Sequence, residues 1–252
     1  MVERTHLPGG SGGVWYADDP VFGPVVHRPV GPWTPAVHRL LAFLADDGLE
    51  GVPRVVAVTD TEETLTFLPG EALDPGIREA DDDVLAQGAA WLRRYHDAVR
   101  GWDPGDVAWR QTSSPLAPGQ LICHNDTGSY NWIVDDRGFA GLIDWDQAGP
   151  GHPVDDVAIL CWSAIPLGDP LPPADAARRV RIVAEAYGGL TPNEILDAVA
   201  ARMLTSVTRI AAGIERGDPG MLSLRDRAEP ENTRRAVDGY LARVPAIRAA
   251  LG

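Results

Sequence analysis

The spacing of apolar positions changes about a third of the way along the chain. Before that point, short apolar runs bounded by glycine and proline predict strands, as in "VWY", "PVVHRP", "RVVAVTD" and "TLTFLPG". One segment, "TPAVHRLLAFLADDG", instead places apolar residues at i, i+3, i+4 and i+7 from Val37, which predicts an amphipathic helix. Thr34 is its expected N-cap, and Gly48 is expected to close it. This part of the chain therefore predicts a small β-rich unit around one helix.

From Asp81 onward, helical spacing dominates. "DVLAQGAAWLRRYHDAVRG" predicts one helix, and "TPNEILDAVAARMLTSVTRIAAGIERG" predicts another that opens with a capping box of Thr191 and Glu194. A larger, mainly helical unit over residues 71–252 is therefore expected to follow a β-rich unit over residues 1–70.

A polar cluster interrupts the helical unit at "ICHNDTGSYNWIV", residues 122–134. "NWIV" and "FAGLID" predict a hairpin with its turn at "DDRG", and folding the chain there brings Asn131 close to Asp144. Asp126 stands just before this hairpin. Two carboxylates and one carboxamide at one point suit Mg²⁺. The same residues also serve as turn formers at strand ends, and the spacing alone leaves both interpretations open.

Composition narrows the classes of partner. The formal net charge of −14 makes nucleic acid an unexpected partner and permits a cationic substrate, although an acidic surface also serves solubility. No apolar run is long enough to span a bilayer, and the first residues lack the pattern of a signal peptide, so a soluble cytoplasmic protein without a membrane partner is expected. All 22 basic residues are arginines, which excludes any mechanism that requires a catalytic lysine.

The spacing His124-x-Asp126-x₄-Asn131, followed by Asp144 in "IDWD", resembles the catalytic loop and metal-binding aspartate of kinases. With "FLPGE", "LRRYHDAV" and "DDVAIL" in matching places, most of the chain is similar to the aminoglycoside phosphotransferase and choline kinase group. The resemblance implies an α+β, bilobal protein-kinase-like fold with a small β-rich N-lobe and a larger helical C-lobe. It also implies an ATP- and Mg²⁺-dependent transfer of the γ-phosphate to a hydroxyl of a small molecule such as an aminoglycoside.

The resemblance also implies the roles of the polar cluster. Asp126 would accept or orient the acceptor hydroxyl, and His124 would brace the loop. Asn131 and Asp144 would hold Mg²⁺. Two further aspartates have open roles. Asp146 would either assist the metal or fix its loop, and Asp156 would either support the catalytic loop or cap a helix.

The resemblance places the nucleotide against the N-lobe. Backbone groups of the strand end at Phe67 and Leu68 would meet the adenine. The glycine-rich segment at Gly10, Ser11 and Gly12 would cover the phosphates, although its spacing matches no established phosphate-binding loop. A plain N-terminal turn is the alternative for this segment.

The N-lobe also departs from the family pattern. A lysine is expected on the third strand, paired with a glutamate of the following helix, whereas here Arg28 is the best available cation, with His27 beside it. His38 stands where the acid is expected. This departure leaves a catalytically weak, kinase-like binding module as the alternative to an enzyme. Acidic stretches after residue 160 suit a cationic acceptor, although solvated loops explain them equally well.

Overall fold

A five-stranded antiparallel sheet with one helix forms the N-terminal part of the chain. The computed structural model describes residues 3–7, 13–73, 80–112, 114–168 and 171–252. The strand order is β1-β2-β3-β5-β4, with every neighbouring pair antiparallel. The elements are β1 (Arg4–His6), β2 (Trp15–Asp19), β3 (Gly23–Pro29), α1 (Thr34–Asp46), β4 (Val55–Val58) and β5 (Glu62–Thr66).

The C-terminal part contains two small sheets and six helices among the described residues. One sheet has the order β6-β8-β9, and the other pairs β7 with β10. The strands are β6 (Glu71–Ala72), β7 (Leu121–Cys123), β8 (Trp132–Asp135), β9 (Gly138–Leu142) and β10 (Gly149–Gly151). The helices are α2 (Asp82–Ala98), α3 (Pro153–Ala164), α4 (Pro173–Tyr187), α5 (Pro192–Glu215), α6 (Pro219–Arg225) and α7 (Glu231–Ala249). The predicted order, a β-rich part followed by a mainly helical part, is confirmed.

Two helix starts test the predicted caps. The capping box of α5 is confirmed, since the Thr191 hydroxyl accepts from the Glu194 N–H and the Glu194 carboxylate accepts from the Thr191 N–H. The predicted cap of α1 is wrong. Thr34 lies inside the first turn, and its hydroxyl accepts a hydrogen bond from the Gly31 N–H at 2.9 Å. Since Pro35 has no N–H to satisfy, the first turn loses little without a capping side chain.

Buried aromatic side chains hold the loops of the C-terminal part. Tyr95, Trp132 and Trp145 are each at most 2% exposed. Their polar atoms donate to the carbonyl groups of Ile122, Thr127 and Leu142, respectively, at 2.7 to 3.0 Å. Each ring therefore fills the core and also fixes backbone beside the polar cluster, as expected for buried tyrosine and tryptophan.

The two parts of the chain meet in several places. The chain crosses directly from β5 to β6 through residues 67–70. The loop before β4 also lies against β9, where the Leu142 N–H donates to the Gly51 carbonyl at 2.9 Å. A Cβ on Gly141 would lie 2.4 Å from the Gly51 carbonyl oxygen, so only glycine allows this approach. Trp91 on α2 donates to the Glu50 carbonyl at 2.8 Å.

None of the helices in the described part of the chain is long and apolar enough to cross a membrane.

Candidate active site

The loop between β7 and β8 carries the polar cluster and is anchored from α3. The carboxylate of Asp156 accepts from the backbone N–H of His124 at 2.9 Å and of Asn125 at 2.7 Å. Asn125 has a φ of +62°, a left-handed conformation that asparagine tolerates better than most residues. The side chain of Thr127 donates to the Asp156 carbonyl at 2.6 Å. One aspartate therefore fixes the path of the chain on both sides of Asn125.

Asp156 is fully buried and stays an anion because donors surround it. Burial alone would raise its pKa, but the hydrogen bonds from His96, at 3.1 Å, and from the His124 backbone hold that pKa below its usual value. Asp156 lies one turn inside α3, and His152 is the N-cap residue. The predicted support of the catalytic loop is therefore confirmed, and the alternative of a plain N-cap is wrong.

His124 connects the loop to the strand end before Asp144. Its Nδ1 accepts from the Asp126 N–H at 3.2 Å, so its Nε2 carries the proton and donates to the Ile143 carbonyl at 3.2 Å. The ring packs edge-on against Trp145 at 4.6 Å. Burial lowers the pKa of His124 and keeps the imidazole neutral. His124 therefore holds the loop against the strand end before Asp144.

The carboxylate of Asp126 is held by two donors. The Tyr130 hydroxyl donates to Oδ1 at 2.6 Å, and the Asn131 amide donates to Oδ2 at 3.1 Å. Burial raises the pKa of Asp126, and the nearby charge of Asp144 adds to the effect, whereas the Tyr130 hydrogen bond opposes it. A carboxylate with a raised pKa in a fixed position suits a general base.

The β8–β9 hairpin brings Asn131 and Asp144 together with a shift of one residue from the predicted register. A bulge between Ile133 and Val134 changes the pairing, so the Ile143 N–H donates to the Asn131 carbonyl at 3.0 Å. Asp144 follows with a φ of +61° and leaves the strand direction. The predicted proximity therefore results from a bulged strand followed by a left-handed residue.

Asn131 and Asp144 fit a hard cation. The Asn131 amide nitrogen faces Asp126, which leaves its Oδ1 without a hydrogen-bond donor among the described residues. Asp144 has a side chain that is 45% exposed. One carboxylate and one carboxamide oxygen, completed by water and phosphate oxygens, form a typical Mg²⁺ site.

Arg28 lies at the centre of an ion-pair cluster between the two parts of the chain. Its Nε donates to Glu63 at 2.9 Å, Nη1 lies 3.5 Å from Asp144 Oδ1, and Nη2 pairs with Asp146. Glu63 lies opposite Arg28 on the neighbouring strand β5, is 2% exposed, and also pairs with His38 of α1. The acid that α1 lacks is therefore supplied by β5.

The structure describes only some of the other residues that were predicted to contact the nucleotide. The Phe67 N–H donates to the Pro24 carbonyl at 3.0 Å, so this donor is already used within the protein. Leu68 is partly exposed in the connection between β5 and β6. Gly10, Ser11 and Gly12 lie outside the described residues.

Several residues at the site were missed by the sequence analysis. Glu63 sits in "EETLTF", where nothing marks it, because its partner Arg28 is 35 positions away. Tyr130 lies four residues after Asp126 and could have been found from its position within the loop. Arg110 belongs to a segment without regular structure, yet it pairs with Asp146 at 3.3 Å and with Asp218 at 2.7 Å.

Comparison with known proteins agrees with this arrangement. Residues 74–194 match the model of the phosphotransferase enzyme family. The trifolitoxin immunity protein of Rhizobium leguminosarum bv. trifolii is 37% identical over 164 residues, which cover 63% of this chain and 60% of that protein. The chain thus matches about three fifths of the length of this relative.

Solved structures share the fold. An amicoumacin kinase in complex with AMP-PNP, Ca²⁺ and its ligand superposes with a TM-score of 0.63 at 11% identity, over 82% of this chain and 80% of that one. The GDP complex of an aminoglycoside 2'-phosphotransferase gives a TM-score of 0.62 at 11% identity, over 96% and 91%.

These matches show a protein-kinase-like fold and, over slightly less than half of the chain, a match to the phosphotransferase enzyme family. The resemblance predicted from "HNDTGSYN" and "IDWD" is confirmed.

Proposed function

We propose that the protein is an ATP- and Mg²⁺-dependent phosphotransferase that transfers the γ-phosphate to a hydroxyl of a small molecule. The observation that carries the proposal is the geometry around Asp126. Its carboxylate is fixed by Tyr130 and Asn131, is raised in pKa by burial, and lies beside the two oxygen-bearing side chains that suit Mg²⁺.

The chain's own residues have separate roles in this proposal. Asp126 accepts the proton of the acceptor hydroxyl as that oxygen attacks phosphorus, and His124 keeps the loop in place. Asn131 and Asp144 hold the metal, which neutralises charge on the phosphates when bound. Asp126 and Asn131 come from a loop anchored by Asp156, and His124 ties this loop to the strand end before Asp144. The positions of the base and the metal ligands are therefore set before substrates arrive.

The nucleotide is proposed to lie between the sheet of the N-lobe and the loop after β9. The Leu68 backbone and the Phe67 carbonyl would meet the base at a hinge over residues 66–70, and Arg28 would meet the phosphates. Gly10, Ser11 and Gly12 would cover the phosphates. Arginine suits phosphate through its forked donors.

An aminoglycoside or related antibiotic is the first class of acceptor to test. The support comes from the names of the relatives, which include a kinase of amicoumacin and an aminoglycoside phosphotransferase. A cationic acceptor and the absence of a nucleic-acid partner stay predictions from the acidic composition. The absence of a membrane partner stays a prediction from the lack of a long apolar run. A cytoplasmic location, where ATP is available, is part of the proposal.

A kinase-like binding module is the second candidate. It is favoured by the contacts of Arg28 with both Asp144 and Asp146, because this cation competes with a metal for the same carboxylates. Thermal unfolding with ATP or GTP, each with and without Mg²⁺, separates the two candidates. A nucleotide at a hundredfold its Kd stabilises by about 2.7 kcal/mol.

If the protein is an enzyme, nucleotide should raise the melting temperature in a way that depends on Mg²⁺. ADP should also be released with at least one member of a panel of hydroxyl-bearing antibiotics. A nucleotide shift that does not depend on Mg²⁺, or no nucleotide shift at all, together with no ADP release, favours the binding module.

A further inference from the structure

Two neighbouring side chains of the catalytic loop are open to solvent, and the rest of the loop is buried. Over residues 121–134, every residue is buried except Asp126, which is partly exposed, and Tyr130, which is 48% exposed. The Tyr130 hydroxyl donates to Asp126 Oδ1 at 2.6 Å. The part of this loop that a ligand can contact is therefore mainly the proposed base and one aromatic ring.

The exposure of Tyr130 differs from that of the other aromatic rings around the loop. Tyr95, Trp132 and Trp145 are at most 2% exposed, and each packs against another ring of the core. Isolated exposed aromatic rings are common on protein surfaces, so exposure alone gives Tyr130 no role. What distinguishes this ring is that it is held in a fixed position beside the proposed base.

The loop itself fixes the ring of Tyr130. A Cβ on Gly128 would lie 2.3 Å from two carbons of this ring, so the ring rests directly on the glycine. Gly128 has a φ of −59°, which any residue adopts, so the ring rather than the backbone requires a glycine here. Ser129 ties the same segment to α3, since its N–H donates to the Ser163 hydroxyl at 2.8 Å. A ligand therefore meets a rigid aromatic surface.

The two carboxylate oxygens of Asp126 distinguish a metal side from an acceptor side. Oδ2 accepts from the amide of Asn131, a proposed metal ligand, whereas Oδ1 accepts from Tyr130. In an in-line transfer, the acceptor oxygen lies on the opposite side of the phosphoryl group from the leaving oxygen. Tyr130 therefore lies at the oxygen away from the proposed metal, where the acceptor approaches.

An acceptor whose hydroxyl reaches Asp126 must also contact this ring. A carboxylate oxygen accepts two hydrogen bonds, so Oδ1 keeps one site free beside the Tyr130 hydroxyl. Two donors on one oxygen lie roughly 4–5 Å apart, which brings the carbon atoms that carry them within van der Waals contact. The group that packs on the ring is therefore the carbon skeleton next to the reacting hydroxyl, and it offers C–H groups.

We propose that Tyr130 is a binding residue for the acceptor, whose saturated ring packs its C–H groups on the Tyr130 side chain while one of its hydroxyls meets Asp126. The inference rests on the proposed function and adds a residue that selects cyclic acceptors. A saturated ring presents several C–H groups to a flat surface at once, whereas an open chain loses conformational entropy to do so. The face of an aromatic ring also carries partial negative charge, which suits an acceptor with an ammonium group.

The first test compares two amino alcohols that differ in ring closure. Glucosamine is cyclic, and its reduced form glucosaminitol has the same carbon chain and the same ammonium group but no ring. With Mg²⁺ and ADP present, calorimetry should show that the wild type binds glucosamine about three- to tenfold more tightly than glucosaminitol. Equal binding of the two compounds by the wild type would overturn the proposal.

Two substitutions separate the ring of Tyr130 from its hydroxyl. Tyr130→Phe keeps the ring and should keep the preference for glucosamine, whereas Tyr130→Leu should lose it. Phe22→Leu is the matched control, because Phe22 lies in the turn between β2 and β3 and is 47% exposed. This control should bind both compounds as the wild type does. A preference that survives in Tyr130→Leu, or that Tyr130→Phe loses as fully as Tyr130→Leu, would overturn the proposal.

Gly128→Ala tests the same surface without changing the tyrosine. The added Cβ must displace the ring, since it would lie 2.3 Å from two ring carbons, whereas the backbone conformation of Gly128 suits alanine. The preference for glucosamine should therefore fall as it does in Tyr130→Leu. A preference equal to that of the wild type would show that the position of the ring does not matter, and the proposal would be wrong.

Further measurements separate this inference from the proposed function and from another role of the ring. A preference for glucosamine in the wild type, without ADP release from any acceptor, would contradict the proposed function alone. ADP release with the same kcat/KM for glucosamine and glucosaminitol would contradict this inference alone. If Tyr130→Leu weakens the binding of AMP-PNP more than that of ADP, the ring contacts the γ-phosphate, and its role in acceptor binding is wrong.

Discussion

At the scale of single residues, Asp126 has the most demanding position. Its backbone N–H donates to a neutral histidine, its carboxylate accepts from a tyrosine and an asparagine, and its pKa is raised by burial. Asp126→Asn keeps the shape and removes the proton acceptor. We expect kcat to fall by about 10²- to 10⁴-fold while ATP binding persists, as measured by ADP release and calorimetry. Asp136→Asn, on the exposed turn after β8, is the control, and near-normal turnover of Asp126→Asn would show that the base lies elsewhere.

Tyr130 sets the pH at which Asp126 works. Its hydroxyl lowers the pKa that burial raises, so Tyr130→Phe should let the pKa of Asp126 rise further. Since the base acts only when ionised, activity is lost as pH falls through this pKa. The acid limb of the profile of kcat against pH should therefore move to higher pH in Tyr130→Phe. An acid limb at the same pH as in the wild type would mean that this hydrogen bond does not act on the base.

At the scale of elements, the β8–β9 hairpin decides whether a metal can bind. Asp144 supplies the charge at the proposed site, and Asn131 supplies only a neutral oxygen. Asp144→Ala should therefore abolish the Mg²⁺ dependence of nucleotide binding, and Asn131→Ala should weaken it less. Calorimetry with and without Mg²⁺ checks both variants. Unchanged Mg²⁺ dependence in Asp144→Ala would remove the metal role.

The same hairpin shows how far a sequence predicts such a site. Alternation and the turn "DDRG" predicted the two strands and the approach of Asn131 to Asp144. The bulge that shifts their register leaves no mark in the pattern, because it depends on packing against neighbouring strands. Glu63 could not be predicted for a related reason. Its role depends on Arg28 of β3 and His38 of α1, and periodicity describes only one element at a time.

At the scale of the whole molecule, Arg28 spans the cleft between the β-rich and helical parts. If it binds nucleotide phosphates, Arg28→Ala should weaken ATP about ten- to a hundredfold, since a charge-assisted hydrogen bond contributes about 1.5–3 kcal/mol. Adenosine, which has no phosphates, should bind unchanged, and Arg28→Lys should restore part of the ATP affinity. Calorimetry with both ligands checks this. Equal weakening of ATP and adenosine would make Arg28 purely structural.

The contact between Gly51 and Gly141 has a consequence for how firmly the cleft is held. The two parts of the chain are also joined by the connection over residues 67–70, by the Arg39 side chain on the Pro104 carbonyl and by the stacked rings of Phe43 and Trp102. A side chain at position 141 would push the Gly51 carbonyl away from the Leu142 N–H and would break one of these joints. The ion pairs of Arg28 with Asp144 and Asp146 would then carry more of the contact between the two parts. Two residues without side chains thus help to hold the two walls of the cleft together.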